Sequence, residues 1–364
     1  MNRPLRYGVI GTGMMGIEHI HNLLALDGVE VSAVCDPDAG SLESARALVP
    51  DATCYDNHGD LLAGGGVDAL IVATPNMTHV DILLDVVRTG LPVLVEKPLC
   101  TTVPDCLRVI DAAGPDAMVW IGLEYRYLAA IAGLIDTVAA GTVGQVRMVA
   151  IREHRFPFLP KVGEWNRFTV NTGGTLVEKC CHFFDLMNLI TGSRPVRVMA
   201  SGAQDVNHLD EFYDGRTPDI LDNAYVIVEF DSGARGMVDL CMFAEATRNQ
   251  EEVSVVGDLG KVEALVPESV VRTGIRGRHQ IGEVDEARVV NPDVRHQGLH
   301  HGSSYVEHQR FRDAVLSGSR PESDLEAGLW SVAVGVAAHL SIEEGRSVDI
   351  DEVMVRSGTG PIHV

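Results

Sequence analysis

Residues Arg6-Tyr7-Gly8-Val9-Ile10-Gly11-Thr12-Gly13-Met14-Met15-Gly16 decide the fold. Tyr7 to Ile10 is a short strand-type run, and G-x-G-x-x-G follows it directly. Beyond it Met14, Ile17, Ile20, Leu23 and Leu24 recur at helical spacing. Such a glycine pattern carries meaning only between a strand and a helix. There Gly11 permits the tight turn, Gly13 lets backbone approach a pyrophosphate, and Gly16 lets helix and strand pack closely. The helix start, with Thr12, Met14 and Met15, then offers free N–H groups to an anion. The second strand, Val29 to Cys35, ends at Asp36, 20 residues past Gly16. A carboxylate there accepts hydrogen bonds from both adenosine ribose hydroxyls and repels a 2′-phosphate. Asp38 adds to the repulsion, and no Arg or Lys follows closely. The pattern predicts NAD rather than NADP; the competing reading is a glycine-rich turn with no ligand.

Outward from this turn, Ala69 to Ala73, Val93 to Val95 and Met118 to Ile121 read as further strands. Helical patterns at Leu42 to Leu48, Val80 to Val87 and Cys106 to Ile110 alternate with them. That grammar predicts a parallel sheet covered on both faces. After Gly122 it changes. Val146 to Ile151, Val196 to Ala200, Tyr225 to Phe230, Ala234 to Phe243, Glu252 to Val256 and Val262 to Val266 read as longer strands. Asp231-Ser232-Gly233 and Gly257-Asp258-Leu259-Gly260 read as hairpin turns. Helices are expected at Gly174 to Ile190, Tyr305 to Leu316 and Leu325 to Glu343. The fold class is therefore α/β. A Rossmann dinucleotide-binding domain (1–124) precedes an α+β domain (125–364) with a large, mostly antiparallel sheet.

The 364 residues suit about two domains. With 46% hydrophobic and 22% charged residues, the chain is neither disordered, collagen-like nor a coiled coil. Its net charge of −22 disfavours nucleic acid and anionic membranes as partners. Seven cysteines, an odd number without a C-x-x-C pair, fit a reducing, cytoplasmic setting. The opening M-N-R-P-L-R resembles a signal peptide, but Gly11, Gly13, Gly16, Glu18 and His19 interrupt the apolar stretch. No apolar run reaches ~18 residues; Leu329 to Ile342 contains Ser331, Gly335 and His339 and reads as a buried helix.

Two further loops follow strands at the carboxyl edge, where ligands bind: Ala73-Thr74-Pro75-Asn76-Met77-Thr78-His79 and Val95-Glu96-Lys97-Pro98. Thr74, Pro75, Asn76, His79, Glu96 and Lys97 are candidate cofactor contacts. Pro98 biases Lys97 toward extended backbone, which projects an ammonium able to stabilise developing alkoxide charge. The plainer alternatives are a solvated lysine and, for His79, an early helix residue.

Together, G-T-G-M-M-G, Asp36, A-T-P-N-x-x-H and E-K-P-L resemble the Gfo/Idh/MocA family of NAD(P)-dependent oxidoreductases. In the second half, Gly173-Gly174-Thr175-Leu176-Val177-Glu178-Lys179-Cys180-Cys181-His182-Phe183-Phe184-Asp185 spaces Glu178, His182 and Asp185 along one helix face. Histidine can take a hydroxyl proton near neutral pH, and a carboxylate one turn away can orient it. The paired glycines would let backbone approach the nicotinamide. The alternative is a polar stripe on a surface helix. The family pattern G-G-x-l-x-D-x-x-x-H-x-x-D implies that His182 is the acid–base residue; Glu178 stands where the family has Asp. Zinc on Cys180, Cys181 and His182 is disfavoured, because adjacent helical residues point about 100° apart, and no metal is expected.

Trp165-Asn166-Arg167 resembles the family's W-R element near the nicotinamide, which implies Trp165 and Arg167 as cofactor contacts. Tyr125 and Arg126 follow the fifth strand, where the family often has Arg. With Glu153, Arg155 and His301 they are candidate substrate contacts, beside Lys97, Glu178 and His182. Such side chains suit a ligand whose hydroxyls both donate and accept. The resemblance implies an NAD-dependent dehydrogenase acting on a secondary hydroxyl of a sugar, inositol or related polyol, assembled as a homodimer or homotetramer. Two alternatives stay open: a glycoside-cleaving enzyme that transiently reduces NAD, and an NAD-binding regulator without turnover.

Overall fold

The computed structural model describes residues 3–356; the opening Met1-Asn2 and the end of the second domain from 357 lie outside the described residues. Short Val- and Ile-rich runs alternate with helices through the first third. They form β1 (Leu5–Ile10), α1 (Met14–Leu24), β2 (Val29–Cys35), α2 (Ala39–Leu48), β3 (Thr53–Tyr55), α3 (His58–Gly64), β4 (Ala69–Val72), α4 (His79–Thr89), β5 (Val93–Glu96), α5 (Val103–Ala113) and β6 (Val119–Gly122). The strands pair in parallel in the order β3-β2-β1-β4-β5-β6. Chain direction across the sheet reverses between β1 and β4, which opens a crevice at their carboxyl ends. Sequence reading missed β3 and α3. β3 is a three-residue edge strand, and α3 buries only Leu61, so neither has a readable period.

The remainder comprises α6 (Ala129–Ala139), β7 (Val146–His154), α7 (Thr169–Thr172), α8 (Thr175–Glu178), α9 (Cys181–Thr191), β8 (Pro195–Ala203), β9 (Asn223–Phe230), β10 (Arg235–Cys241), β11 (Glu251–Gly257), β12 (Gly260–Val266), β13 (Val270–Ile275), β14 (Asp285–Arg288), α10 (Ser303–Ser317), α11 (Leu325–Glu344), β15 (Val348–Asp349) and α12 (Ile350–Arg356). Nine strands make one sheet in the order β14-β13-β12-β11-β7-β10-β9-β8-β15. Neighbours are antiparallel except β7 and β10, which run parallel. Alternate side chains of β7, β9, β10 and β11 are buried, among them Val149, Ile151, Val226, Val228, Val238 and Val253. The opposite face leaves Met199, Ile227 and Met237 exposed, as direct partners across three adjacent strands.

Besides α6, α7, α12 and the outer strands β13, β14 and β15, which the sequence reading did not include, two features depart from it. The helix expected over Gly174 to Ile190 is broken, because α8 ends at Glu178 and α9 begins at Cys181. And α10, far along the chain, covers the first sheet: Phe311 packs edge-on against Tyr7 (6.2 Å) and Trp120 (6.0 Å). Helix α11 is long and apolar enough to cross a membrane by composition, yet over half of its apolar window is buried in this fold.

Candidate active site

At the first turn the glycines act as sterics require. Gly11 has φ +90°, and a Cβ there would lie 2.6 Å from the Ala73 carbonyl. A Cβ on Gly16 would lie 2.0 Å from the Gly11 oxygen, so helix and turn touch there. Gly13 instead faces open space, on a cleft of about 540 Å³. Gly11, Met14, Met15, Asp36, Thr74, Pro75, Asn76, Glu96, Lys97 and Trp165 also border it. Helix α1 has neither a side-chain cap nor an acidic residue in its first turn, so its leading N–H groups are free to bind an anion. Asp36 is fixed from behind: Oδ2 accepts from the Thr12 N–H (2.7 Å) and hydroxyl (3.2 Å), and Oδ1 from the Asp38 N–H (2.9 Å). Asp38 caps α2 by accepting from the Ser41 N–H at 2.8 Å, which holds its carboxyl below the usual range. An uncapped helix start, an open glycine face and a fixed carboxylate at the far end fit a dinucleotide.

Four predicted cofactor contacts stand outside this lining. Thr12 is buried against Asp36, and Gly16 is pressed on Gly11. His79 is buried behind the cleft, where its ring nitrogens face the carbonyls of Pro98 (2.8 Å) and Thr74 (3.0 Å). It ties the two loops together, and burial pushes its pKa down. Arg167 is buried against Glu211 (2.9 Å) and Glu164 (3.4 Å), whose carboxylates neutralise its charge away from the cleft.

The cleft opens into a smaller pocket of about 180 Å³, and Met14, Met15, Glu96, Lys97, Lys161 and Glu178 line both. Lys97, joined to Pro98 by a cis peptide, donates to the Glu178 carbonyl (3.2 Å) and lies 3.7 Å from Glu178 Oε1. Glu178 Oε2 accepts from the Asn76 amide. Burial opposes charge on Lys97, but the neighbouring Glu178, Glu96 and Glu124 carboxylates lift its pKa above the ordinary lysine value. The ammonium therefore stays charged.

His182 lines the smaller pocket, stacked on the Tyr125 ring (centroids 4.2 Å apart, planes at 12°). Burial first, then the charges of Lys97 and Lys179, push its pKa well below the usual histidine value. The imidazole is neutral and able to accept a proton. The carboxylate facing it is Glu124, whose Oε1 lies 3.8 Å from His182 Nε2, and not the expected Glu178. The break between α8 and α9 is the reason, since it turns Glu178 toward Lys97 and Asn76. The paired glycines also differ from expectation. A Cβ on Gly173 would meet the Thr101 carbonyl at 2.7 Å, and one on Gly174 would meet the His339 ring at 2.3 Å. They make room for protein, and His339 Nε2 accepts from the Leu176 N–H at 3.1 Å.

Among the predicted substrate contacts, Tyr125, Arg155 and His301 line the pocket. Arg126 does not: its guanidinium pairs bidentately with Asp185 in the core, with Nε donating at 2.6 Å. Glu153 is buried beneath the pocket, 2.9 Å from Lys179 Nζ and 3.4 Å from Arg155. Lys179 donates to the Tyr125 hydroxyl (2.7 Å), which donates to Glu251 (3.2 Å). Sequence reasoning overlooked Glu124, Lys161, Lys179 and Glu251. Only Glu124 carried a usable signal, since it follows β6 at the same carboxyl edge as Asp36 and Lys97. Buried polar atoms without partners gather here: His182 Nδ1, Glu124 Oε2, Asn166 Oδ1 and Glu251 Oε2. Such atoms call for a ligand with several hydrogen-bonding groups.

Residues 5–122 match the family described as an oxidoreductase family with an NAD-binding Rossmann fold, and residues 135–350 match its C-terminal alpha/beta domain. The myo-inositol 2-dehydrogenase of Thermotoga maritima is 28% identical over 364 aligned positions, covering 96% of this chain and all of that protein. Inositol 2-dehydrogenase 2 of Saccharopolyspora erythraea is 30% identical, covering 75% of this chain and 78% of its own. A crystal structure of a probable dehydrogenase from Thermotoga maritima superposes with a TM-score of 0.77 at 26% identity, over 96% of this chain and 100% of that one. The glycine turn, the Lys97 loop and the His182 helix thus sit in a frame shared along most of the chain, which belongs to the Gfo/Idh/MocA oxidoreductase family.

Proposed function

We propose that the chain is an NAD-dependent dehydrogenase that oxidises a secondary hydroxyl of a cyclic polyol of the inositol class. One observation carries the reading: the nucleotide cleft opens into a polar pocket at Lys97 and Glu178, and the neutral His182 lines that pocket. The relatives named as inositol 2-dehydrogenases support the substrate class. Bound nicotinamide would supply the hydride acceptor.

The chain's own residues do the rest. His182 takes the hydroxyl proton, which must leave as the carbon is oxidised. The Lys97 ammonium, kept charged by Glu178, stabilises negative charge on the reacting oxygen. Arg155, Lys179 and Glu251 offer donors and acceptors to the remaining hydroxyls. Asp36 selects NAD over NADP by like-charge repulsion. The exposed apolar row Met199, Ile227 and Met237 supports assembly with a second copy through the large sheet. The test is a panel of inositols and sugars incubated with NAD, read by absorbance of the reduced nicotinamide. NADH should accumulate with at least one cyclic polyol; no accumulation with any of them overturns the reading.

A further inference from the structure

Glu124 lies where three chain segments converge. Its Oε1 is 3.8 Å from His182 Nε2 and 3.7 Å from His300 Nε2, while Oε2 is buried without a partner. All three side chains line the pocket. His182 and Glu124 are 2% and 3% exposed, whereas the His300 side chain is 27% exposed. Distances of this kind often tighten to hydrogen bonds once substrate is bound.

We propose that Glu124 acts through His182 as its proton-accepting partner, and that His300 is the exit from Glu124 to the rim of the pocket. The proposal rests on the dehydrogenase reading above. The substrate O–H bond breaks and its proton passes to Nε2 of the His182 imidazole, while the bound nicotinamide dinucleotide would take the carbinol hydride as the two-electron acceptor. The imidazolium loses the proton from Nε2 to Glu124 Oε1, and the new carboxylic acid passes it to His300 Nε2 and on to water. His182 is restored as a base and Glu124 as a carboxylate.

The electrostatics favour the first transfer, from His182 to Glu124. Burial, and then the Glu96 carboxylate, raise the Glu124 carboxyl to about 8, whereas burial holds His182 far below that. A proton left on His182 therefore moves downhill to Glu124. Burial lowers His300 to about 3, so it holds the proton only in transit. Glu96, Lys97, Lys179, Tyr125, Cys181 and Glu307 share the electrostatic surroundings of Glu124 with the two histidines. The two lysines limit the upward shift.

The test is the pH dependence of kcat on a working polyol for the wild type, Glu124→Gln, Glu124→Asp and His300→Asn, with NAD affinity measured for each. Wild-type kcat should rise through a step near pH 8. Glu124→Gln should lose that step and at least about tenfold in kcat, less than the ~10²-fold or more that loss of the base itself costs. Glu124→Asp should restore the step. His300→Asn should lose activity and regain it with free imidazole. A Glu124→Gln profile like the wild type's, or a lower kcat with the step unmoved, overturns the relay. If Glu124→Gln fails to bind NAD, His300→Asn decides: imidazole rescue supports the relay and its absence overturns it. If the wild type reduces NAD with no polyol, the dehydrogenase reading has failed; an active wild type with an indifferent Glu124 sinks the relay alone.

Discussion

Lys97 and Glu178 meet twice: the ammonium donates to the Glu178 carbonyl at 3.2 Å and faces its carboxylate at 3.7 Å. This contact joins the loop after β5 to the end of α8, and so joins the nucleotide cleft to the substrate pocket. Lys97→Met should lower kcat and weaken NAD binding, because both cavities lose the cation held against Glu178. Glu178→Gln should have a smaller effect at neutral pH. It removes the carboxylate that raises Lys97 most, so Lys97 loses its proton at lower pH. The alkaline limb of the kcat/KM profile should move down; an unmoved limb contradicts the pairing.

His182→Ala should lower kcat by roughly 10²- to 10⁴-fold while NAD affinity changes little. Protonated His182 cannot accept a proton, and burial places its pKa well below the ordinary value. The acid limb belonging to this residue should therefore lie well below pH ~6.5. A variant keeping more than half of the wild-type kcat removes His182 from the mechanism.

Asp36→Ser should narrow the preference for NAD over NADP, measured as the ratio of kcat/KM values. It should also weaken binding of both cofactors, because the Thr12 and Asp38 N–H groups lose their acceptor. Asp36→Asn keeps an acceptor and should separate the two effects. Equal or higher wild-type efficiency with NADP contradicts the assignment.

Arg126→Ala should act on stability. It leaves Asp185 charged and buried without a partner, at a cost of about 3–5 kcal/mol. Urea unfolding should show that loss, while KM for the polyol holds in the protein that remains folded. A raised KM with unchanged stability would return Arg126 to the substrate site.

Light scattering at micromolar concentration should give a mass above that of one chain. Ile227 sits between Met199 and Met237 on the exposed sheet face, so Ile227→Lys should shift the population toward single chains. A wild-type mass equal to one chain contradicts the proposed assembly.

The nucleotide cleft was legible in the sequence because its causes are local. Gly11 must turn at positive φ, Gly16 must admit the turn's carbonyl, and Asp36 must end the second strand; each follows from residues adjacent along the chain. The alternation of strands and helices, and the change of grammar after Gly122, follow from hydrophobic period in the same way. Partner choice in the pocket is not local. Glu178, His182 and Asp185 share a face on an ideal helix, but the break at Lys179-Cys180 sends Glu178 to Lys97 and leaves His182 facing Glu124 from another segment. Asp185 is taken by Arg126, 59 positions away, and Glu153 by Lys179, because a buried charge must find an opposite charge wherever packing brings one. Backbone conformation is set within a few residues by steric limits and apolar spacing. Which ionised side chains meet is set by desolvation in a core built from distant segments, and only the tertiary structure decides that.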